Sequence, residues 1–273
     1  MKKKRKKRKK RKLKKSVVRT FQVLILIVVI ASFFLLFQGK SKEPVEVLDI
    51  SFASFLEIPE KMLKMVEHPE EYPETIMTML ENNIDMLGYV SNYPEKKGHV
   101  YSDTIGEIKK GEIPLLLQYD ERWGYGIYGD DVIAIEGCAP TSLAMVISYL
   151  NNDPTITPYV VANYAYKNGY YVSGIGSNWS LMSEGSKYFG ISGKEVPLVK
   201  STIYNYLESG YPMIASMGPG DFTRSGHFIV LTGVQDGKIK VNDPNSTVRS
   251  NQLWDYDKIE SQIKNIWVFE KTK

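Results

Sequence analysis

An uninterrupted apolar segment near the beginning of the chain constrains its fold more than any other feature. Residues 20–37 read TFQVLILIVVIASFFLLF and contain no charged side chain. As a helix this segment would be about 27 Å long, close to the thickness of the hydrocarbon core of a bilayer. Because it is apolar on all sides, it does not fit a surface helix of a soluble domain. The sequence therefore predicts a transmembrane helix over residues 20–37.

The residues before this segment are strongly basic. Residues 1–19 contain fourteen of the 35 lysines and arginines and no acidic residue, so the overall net charge of +4 combines a basic tail with an acidic remainder. A basic tail can bind nucleic acid. Beside an apolar helix, however, it is better explained as a determinant that keeps the amino terminus in the cytoplasm, where it also meets anionic lipid headgroups. We therefore expect the lipid bilayer as a partner and no nucleic acid.

The end of the apolar segment favours an uncleaved signal anchor. A cleavable signal peptide would end in small residues, whereas this segment ends in FFLLF. No cysteine follows it directly, which excludes a bacterial lipoprotein. We expect a single-pass protein of the cell membrane with a cytoplasmic amino terminus and with every residue after Gln38 outside the cell.

The exported part divides into a stalk and a domain. Residues 38–110 begin polar and then place Ile76, Leu80, Ile84 and Leu87 at helical spacing, which predicts short amphipathic helices in a linker. The sequence pattern of residues 111–273 is typical of a folded domain. Four helices are predicted there: around Leu143–Leu150, from Thr157 to Gly169, from Ser177 or Asn178 to Gly190, and from Ser201 to Gly210.

Short strands follow these helices. They are predicted over residues 212–216, 227–234, 238–242 and 266–270, and Asp236-Gly237 is typical of a hairpin turn between two of them. Helices followed by strands predict an α+β domain with a helical part packed on an antiparallel sheet, preceded by the transmembrane helix and a short helical stalk.

Cys138 is the only cysteine of the chain, so it is either a passive small hydrophobe or a reactive thiol. It lies in Gly137-Cys138-Ala139-Pro140-Thr141, directly before a predicted helix. The unpaired N–H groups and the positive dipole end of a helix start stabilise a thiolate, and Gly137 leaves space beside it. The context therefore favours a nucleophile.

His227 and Asp243 are the predicted partners of this thiol. His227 is the only histidine within residues 111–273 and opens a strand after a Gly-rich loop. Asp243 ends the next strand, so an antiparallel hairpin would bring the two side chains alongside each other. The carboxylate could then orient the imidazole while the other ring nitrogen faces sulfur. Taken alone, Asp243-Pro244-Asn245 is also an ordinary turn sequence.

Together these motifs resemble the C39-like cysteine peptidase family, a papain-like group. The matching features are Ile113–Asp120 followed by Arg122-Trp123, the Gly137–Thr141 helix start, Gly226-His227 and Asp243-Pro244. The resemblance implies a papain-like fold with Cys138 as nucleophile, His227 as base and Asp243 as its orienting partner. It also implies that Gln118 supplies the oxyanion-hole side chain.

One property of the better-known C39 peptidases is not transferred. Those enzymes are fused to peptide exporters and cut leader peptides after a double glycine in the cytoplasm, whereas this chain has no Gly-rich loop ending in Gly-Lys-Ser/Thr and its cysteine is expected outside the cell.

The expected function is hydrolysis of a peptide or amide bond outside the cell, with a peptide, a protein or peptidoglycan as substrate. The alternatives are an acyl transferase similar to transglutaminases and a non-catalytic binding module with the same fold. The spacing of His, Cys and Asp residues predicts no metal site, and no cofactor is expected.

Overall fold

The computed structural model of the protein describes residues 61–272. It contains two compact units, divided between Glu95 and Lys96. The basic tail and the transmembrane helix predicted over residues 20–37 lie outside the described residues. Within residues 61–272, no helix is both long enough and apolar enough to cross a membrane.

The described part of the first unit is helical. Residues 61–67 form a helix, and a 3-10 turn follows at Pro69–Glu71. The next elements are α1 (Glu74–Asn82), a second 3-10 turn (Ile84–Met86) and α2 (Leu87–Lys96). This agrees with the short amphipathic helices predicted for the stalk.

The predicted single face of Ile76, Leu80, Ile84 and Leu87 is wrong at one position. Ile76 and Leu80 are buried in α1, but Ile84 is 55% exposed. The reason is that α1 ends at Asn82, after which the Asn83 side chain accepts a hydrogen bond from the Asp85 N–H and begins a new turn. The helical period therefore breaks before Ile84.

The second unit begins at Lys96. Ile105 already belongs to its hydrophobic core. Its strands are β1 (Ile127–Tyr128), β2 (Asp131–Val132), β3 (Tyr171–Val172), β4 (Gly176–Ser177), β5 (Ile191–Glu195), β6 (Met213–Met217), β7 (His227–Gln235), β8 (Lys238–Asn242), β9 (Leu253–Trp254) and β10 (Ile263–Lys271).

Six of these strands form one antiparallel sheet in the order β5-β10-β6-β7-β8-β9. The hairpin predicted at Asp236-Gly237 joins β7 to β8. Both turn residues have positive φ, at 52° and 71°, as the tight turn of such a hairpin requires. Strand β5 is absent from the sequence prediction because its centre, Ser192-Gly193-Lys194, has weak β-propensity.

The helices of this unit are α3 (Ile133–Glu136), α4 (Cys138–Asn151), α5 (Pro158–Lys167), α6 (Ser180–Ser183), α7 (Lys200–Glu208), α8 (Thr247–Ser250) and α9 (Tyr256–Ile259). Helix α5 begins as predicted, since the Thr157 side chain accepts from the Val160 N–H at 3.2 Å. The prediction of a single helix ending at Gly190 is wrong, because this segment is divided into α6 and a 3-10 helix at Gly185–Phe189.

The sheet buries both of its faces. Successive residues of β7 alternate between two hydrophobic clusters: Phe228 and Val230 pack with α4 and α5, whereas Ile229 and Leu231 pack with α7 and α9. Alternation with a period of two is what a strand with two covered faces requires. The mixed helix and antiparallel-sheet class predicted from the sequence is therefore confirmed, with helices on both faces of the sheet.

Candidate active site

Cys138 is the first residue of α4, the most deeply buried helix of the unit. The thiol itself is free and only partly buried. Gly137 precedes it for a different reason from the space proposed on the sequence: a Cβ at this position would lie 2.4 Å from the Ile133 carbonyl oxygen. A glycine is therefore needed for the chain to turn directly from α3 into α4.

A hydrogen bond fixes α4 against the strand that carries His227. The buried Ser142 hydroxyl, one turn after Cys138, donates to the Phe228 carbonyl at 3.2 Å. Phe228 follows His227 in β7. The helix start and the strand start are thus tied together one turn after Cys138 and one residue after His227.

His227 is the first residue of β7, as the sequence predicts, and it is 7% exposed. His68 and His99 in the preceding segments are both exposed. The pairing of β7 with β8 brings Asp243 alongside the ring, so that His227 Nε2 lies 2.8 Å from Asp243 Oδ1. Because Nε2 faces the carboxylate, Nδ1 is the nitrogen left for Cys138.

Further hydrogen bonds hold Asp243 through both its side chain and its backbone. Its Oδ1 also accepts from the Asn245 N–H at 2.7 Å, and its Oδ2 accepts from Arg249 Nε. The Asp243 N–H donates to the Ser250 hydroxyl at 2.9 Å, and the Ser246 N–H donates to the Asp243 carbonyl at 3.2 Å. The side chain of Asp243 is fully buried, so both carboxylate oxygens depend on these partners.

Gln118 enters the same region from the turn at residues 118–119, before β1. Its backbone N–H donates to the Pro244 carbonyl at 2.7 Å, next to Asp243. Its side-chain Nε2 donates to the Ala134 carbonyl at 2.6 Å, one helical turn before Cys138. Within the described residues, the buried Oε1 of Gln118 has no hydrogen-bond partner.

Charges in the site act on both the imidazole and the carboxylate. Burial lowers the pKa of His227, but the Asp243 charge and hydrogen bond, together with the Cys138 sulfur, raise it from 6.5 to about 9. Burial raises the pKa of Asp243, yet His227 and Arg249 outweigh it and hold the pKa below its ordinary 3.8. At neutral pH the pair is therefore an imidazolium and a carboxylate.

This arrangement has the elements of thiol-based acyl chemistry. An imidazolium between a carboxylate and a sulfur can stabilise a thiolate, donate a proton to a leaving group and later take one from water. Among residues 61–272, no group of three or more His, Cys, Asp or Glu side chains has an arrangement that could hold a metal ion.

The family of the chain follows from a sequence comparison. The model described as the Peptidase_C39 like family matches residues 110–272, which is more than half of the chain. The chain belongs to this family. It is accordingly a cysteine peptidase-like hydrolase. No curated protein sequence matches the chain.

Solved structures similar to the chain include peptidase domains. The peptidase domain of Streptococcus ComA, a bi-functional ABC transporter involved in a quorum sensing pathway, is 20% identical, with a TM-score of 0.40 over 50% of this chain and 93% of that chain. A double glycine motif protease from an AMS/PCAT transporter, in complex with the leader peptide, is 19% identical, with a TM-score of 0.40 over 62% and 97%. A Bacillus anthracis protein described as a C39-like peptidase is 19% identical, with a TM-score of 0.35 over 60% and 97%.

The structure brings Cys138, His227, Asp243 and Gln118 into one region and adds Arg249, which the sequence analysis did not single out. An arginine six residues after an aspartate has no periodic relation to it, and only the folded turn shows their contact. The Ser-Thr-Val-Arg sequence of residues 246–249 does contain a capping serine that predicts a short turn there.

Proposed function

We propose that the chain is a membrane-anchored, extracytoplasmic cysteine peptidase or amidase with Cys138, His227 and Asp243 as its catalytic triad. The main support is the buried His227 ring, which is hydrogen-bonded to Asp243 through Nε2 and interacts with the Cys138 sulfur. Burial disfavours the charged form of an unpaired imidazole, so a histidine that served only packing would stay neutral. Such a histidine would need no buried carboxylate beside it.

In this proposal the Cys138 thiolate attacks the carbonyl carbon of a peptide or amide bond. The carbon–nitrogen bond breaks as the His227 imidazolium gives its proton to the leaving amine, and an acyl-thioester with Cys138 remains. The neutral imidazole then takes a proton from water, whose oxygen attacks the thioester and releases the acid. Asp243 keeps the ring in one orientation through both steps.

Gln118 and the Cys138 N–H are the proposed donors to the developing oxyanion. Gln118 Nε2 has two hydrogens, and Ala134 accepts one of them, so the second is available for the substrate oxygen. The N–H of a first helical residue has no partner within its own helix. The loss of one such donor typically costs about 3–4 kcal/mol of transition-state stabilisation.

The decisive experiment compares the wild-type chain with Cys138→Ala on a peptide library and on purified cell wall. We expect turnover only with the wild type, and an acyl-thioester in the wild type that mass spectrometry detects after acid quenching. Both proteins should have the same thermal unfolding midpoint, because Cys138 is only partly buried. Full activity of the Cys138→Ala variant would exclude the proposal.

The same assay distinguishes the alternative functions. A primary amine added to the reaction would be incorporated into an amide product if acyl transfer, rather than hydrolysis, were the reaction. Alkylation of Cys138 by iodoacetamide only after denaturation would instead indicate a non-catalytic module. The substrate class itself, which we propose to be a peptide, a protein or peptidoglycan, is identified by which member of the panel is cut.

The membrane anchor is a separate part of the proposal and rests on the apolar segment 20–37 and the basic residues before it. Cys138 provides its test because the chain has a single cysteine. In intact bacterial cells expressing the full chain, a membrane-impermeant maleimide should label Cys138 in the membrane fraction. Labelling only after the cells are broken would contradict the extracytoplasmic location.

A further inference from the structure

Asp243 is the one carboxylate of the site, and its two oxygens have different partners. Oδ1 accepts from His227 Nε2 at 2.8 Å and from the Asn245 N–H at 2.7 Å, whereas Oδ2 accepts from Arg249 Nε. A carboxylate held at both oxygens cannot rotate about its Cβ–Cγ bond without breaking a charge-assisted hydrogen bond. The Arg249 contact therefore fixes the plane of the carboxylate relative to the imidazole.

Arg249 is itself fixed by its surroundings. Its backbone N–H donates to the Ser246 hydroxyl at 3.1 Å, and its carbonyl accepts from Trp254 Nε1 at 3.0 Å. Trp254 is buried, and the Arg249 side chain is 25% exposed. A freely moving surface arginine would gain little from an ion pair, but a partly buried and anchored one retains more of its interaction energy.

The charged groups that act on Asp243 come from two elements. His227 belongs to β7 and Arg249 to α8, and both oppose the effect of burial, which would otherwise keep the carboxyl group protonated. Cys138, at the start of α4, acts on the His227 ring rather than on the carboxylate. Without the Arg249 charge, only the imidazolium and the Asn245 N–H would oppose burial, and Asp243 would become protonated at a higher pH.

We propose that Arg249 is a positioning residue of this site, which holds the Asp243 carboxylate ionised and turned so that Oδ1 faces His227. The inference rests on the triad of the proposed function and extends it by one residue that does not touch the substrate. Its consequence is that Arg249 sets the pH below which the His227 imidazolium loses its carboxylate partner, because a protonated Asp243 no longer stabilises the imidazolium.

Two substitutions separate the charge of Arg249 from its hydrogen bond. In Arg249→Gln the amide nitrogen occupies the position of Nε, so the variant keeps a donor to Oδ2 but has no charge. In Arg249→Met the chain length is similar, but both the donor and the charge are absent. Lys200→Met is the control, since Lys200 pairs with Asp257 at 2.8 Å on the exposed surface.

The measurement is the rate of Cys138 alkylation by iodoacetamide as a function of pH, which needs no knowledge of the substrate. Since the chain has one cysteine, the full-length protein reports this thiol alone. We expect the acid limb of the rate to lie at higher pH in both Arg249 variants than in the wild type. In Arg249→Met the rate on the plateau should also fall roughly tenfold, a loss comparable to removing a partner that orients a functional histidine.

The outcomes separate this inference from the proposed function. An acid limb that stays at the wild-type pH in both Arg249 variants, with only the unfolding temperature lowered, would overturn the inference and make Arg249 structural. A displaced acid limb in Lys200→Met would show a general charge effect and would also overturn it. Turnover by Cys138→Ala would instead refute the proposed function, whatever the Arg249 variants do.

Discussion

The two sides of the His227 ring differ in how completely their hydrogen bonds are formed. On the Asp243 side, the carboxylate is fully buried and each oxygen has at least one donor. On the side of Cys138, the thiol is partly exposed. In the described part of the chain, two buried oxygens near Cys138 have no hydrogen-bond partner: Gln118 Oε1, and Thr141 Oγ1 in the first turn of α4.

This difference associates the Asp243 side of the ring with stability and the Cys138 side with reactivity. An unsatisfied buried polar atom costs about 1–3 kcal/mol, whereas a satisfied one is close to neutral or favourable. The Asp243 side does not change its covalent bonds in the proposed reaction, so its groups can be paired permanently. The Cys138 side has to admit a substrate, and its unformed hydrogen bonds reduce stability in the free protein.

Removal of the Asp243 carboxylate should cause the largest loss of activity. We expect Asp243→Ala to lower kcat by about 10⁴-fold, the size of the loss found when the carboxylate of a catalytic triad is removed. The imidazole would lose its orientation and the charge that raises the pKa of His227 to about 9. The measurement is kcat on a substrate that the wild type cuts, with circular dichroism as the check on folding.

Asp243→Asn is the matched variant for this experiment. It keeps the side-chain volume and an acceptor for His227, but its amide nitrogen would face the Arg249 Nε donor if the oxygen faced the ring. We therefore expect an activity between those of Asp243→Ala and the wild type. If the activity of Asp243→Ala were within about twofold of that of the wild type, the Asp243 side of the ring would contribute nothing to the reaction.

The sequence was sufficient to predict the parts of the site that depend on local pattern. The positive-φ turn Asp236-Gly237 fixes the hairpin, and the hairpin brings His227 to Asp243. The helix start at Cys138 follows from Pro140 and from the apolar residues after it. These features are encoded within a few residues of one another, so propensity and turn chemistry are enough.

Contacts between distant segments could not be predicted in this way. The hydrogen bond from the Gln118 N–H to Pro244 joins residues far apart in the sequence, and that of Arg249 with Asp243 depends on the path of a short turn. Similarly, Gly137 is required by the Ile133 carbonyl rather than by the thiolate, which only the packed backbone reveals. Tertiary packing decides such details, and no periodic pattern records them.

A smaller effect should come from Gln118, and it sharpens the comparison because activity and stability should respond differently. We expect Gln118→Leu to lower kcat by about 10²- to 10³-fold through the loss of an oxyanion donor. Its unfolding temperature should hardly fall, since the substitution removes an unsatisfied buried oxygen together with the bond to Ala134.

Gln262→Leu is the matched control: that amide is also buried, but it bonds to both the backbone N–H and the carboxylate of Asp221. Calorimetry should therefore show a larger loss of stability for Gln262→Leu. If Gln118→Leu were the less stable of the two while keeping wild-type kcat, Gln118 would belong to the structural side of the ring and not to the side that meets the substrate.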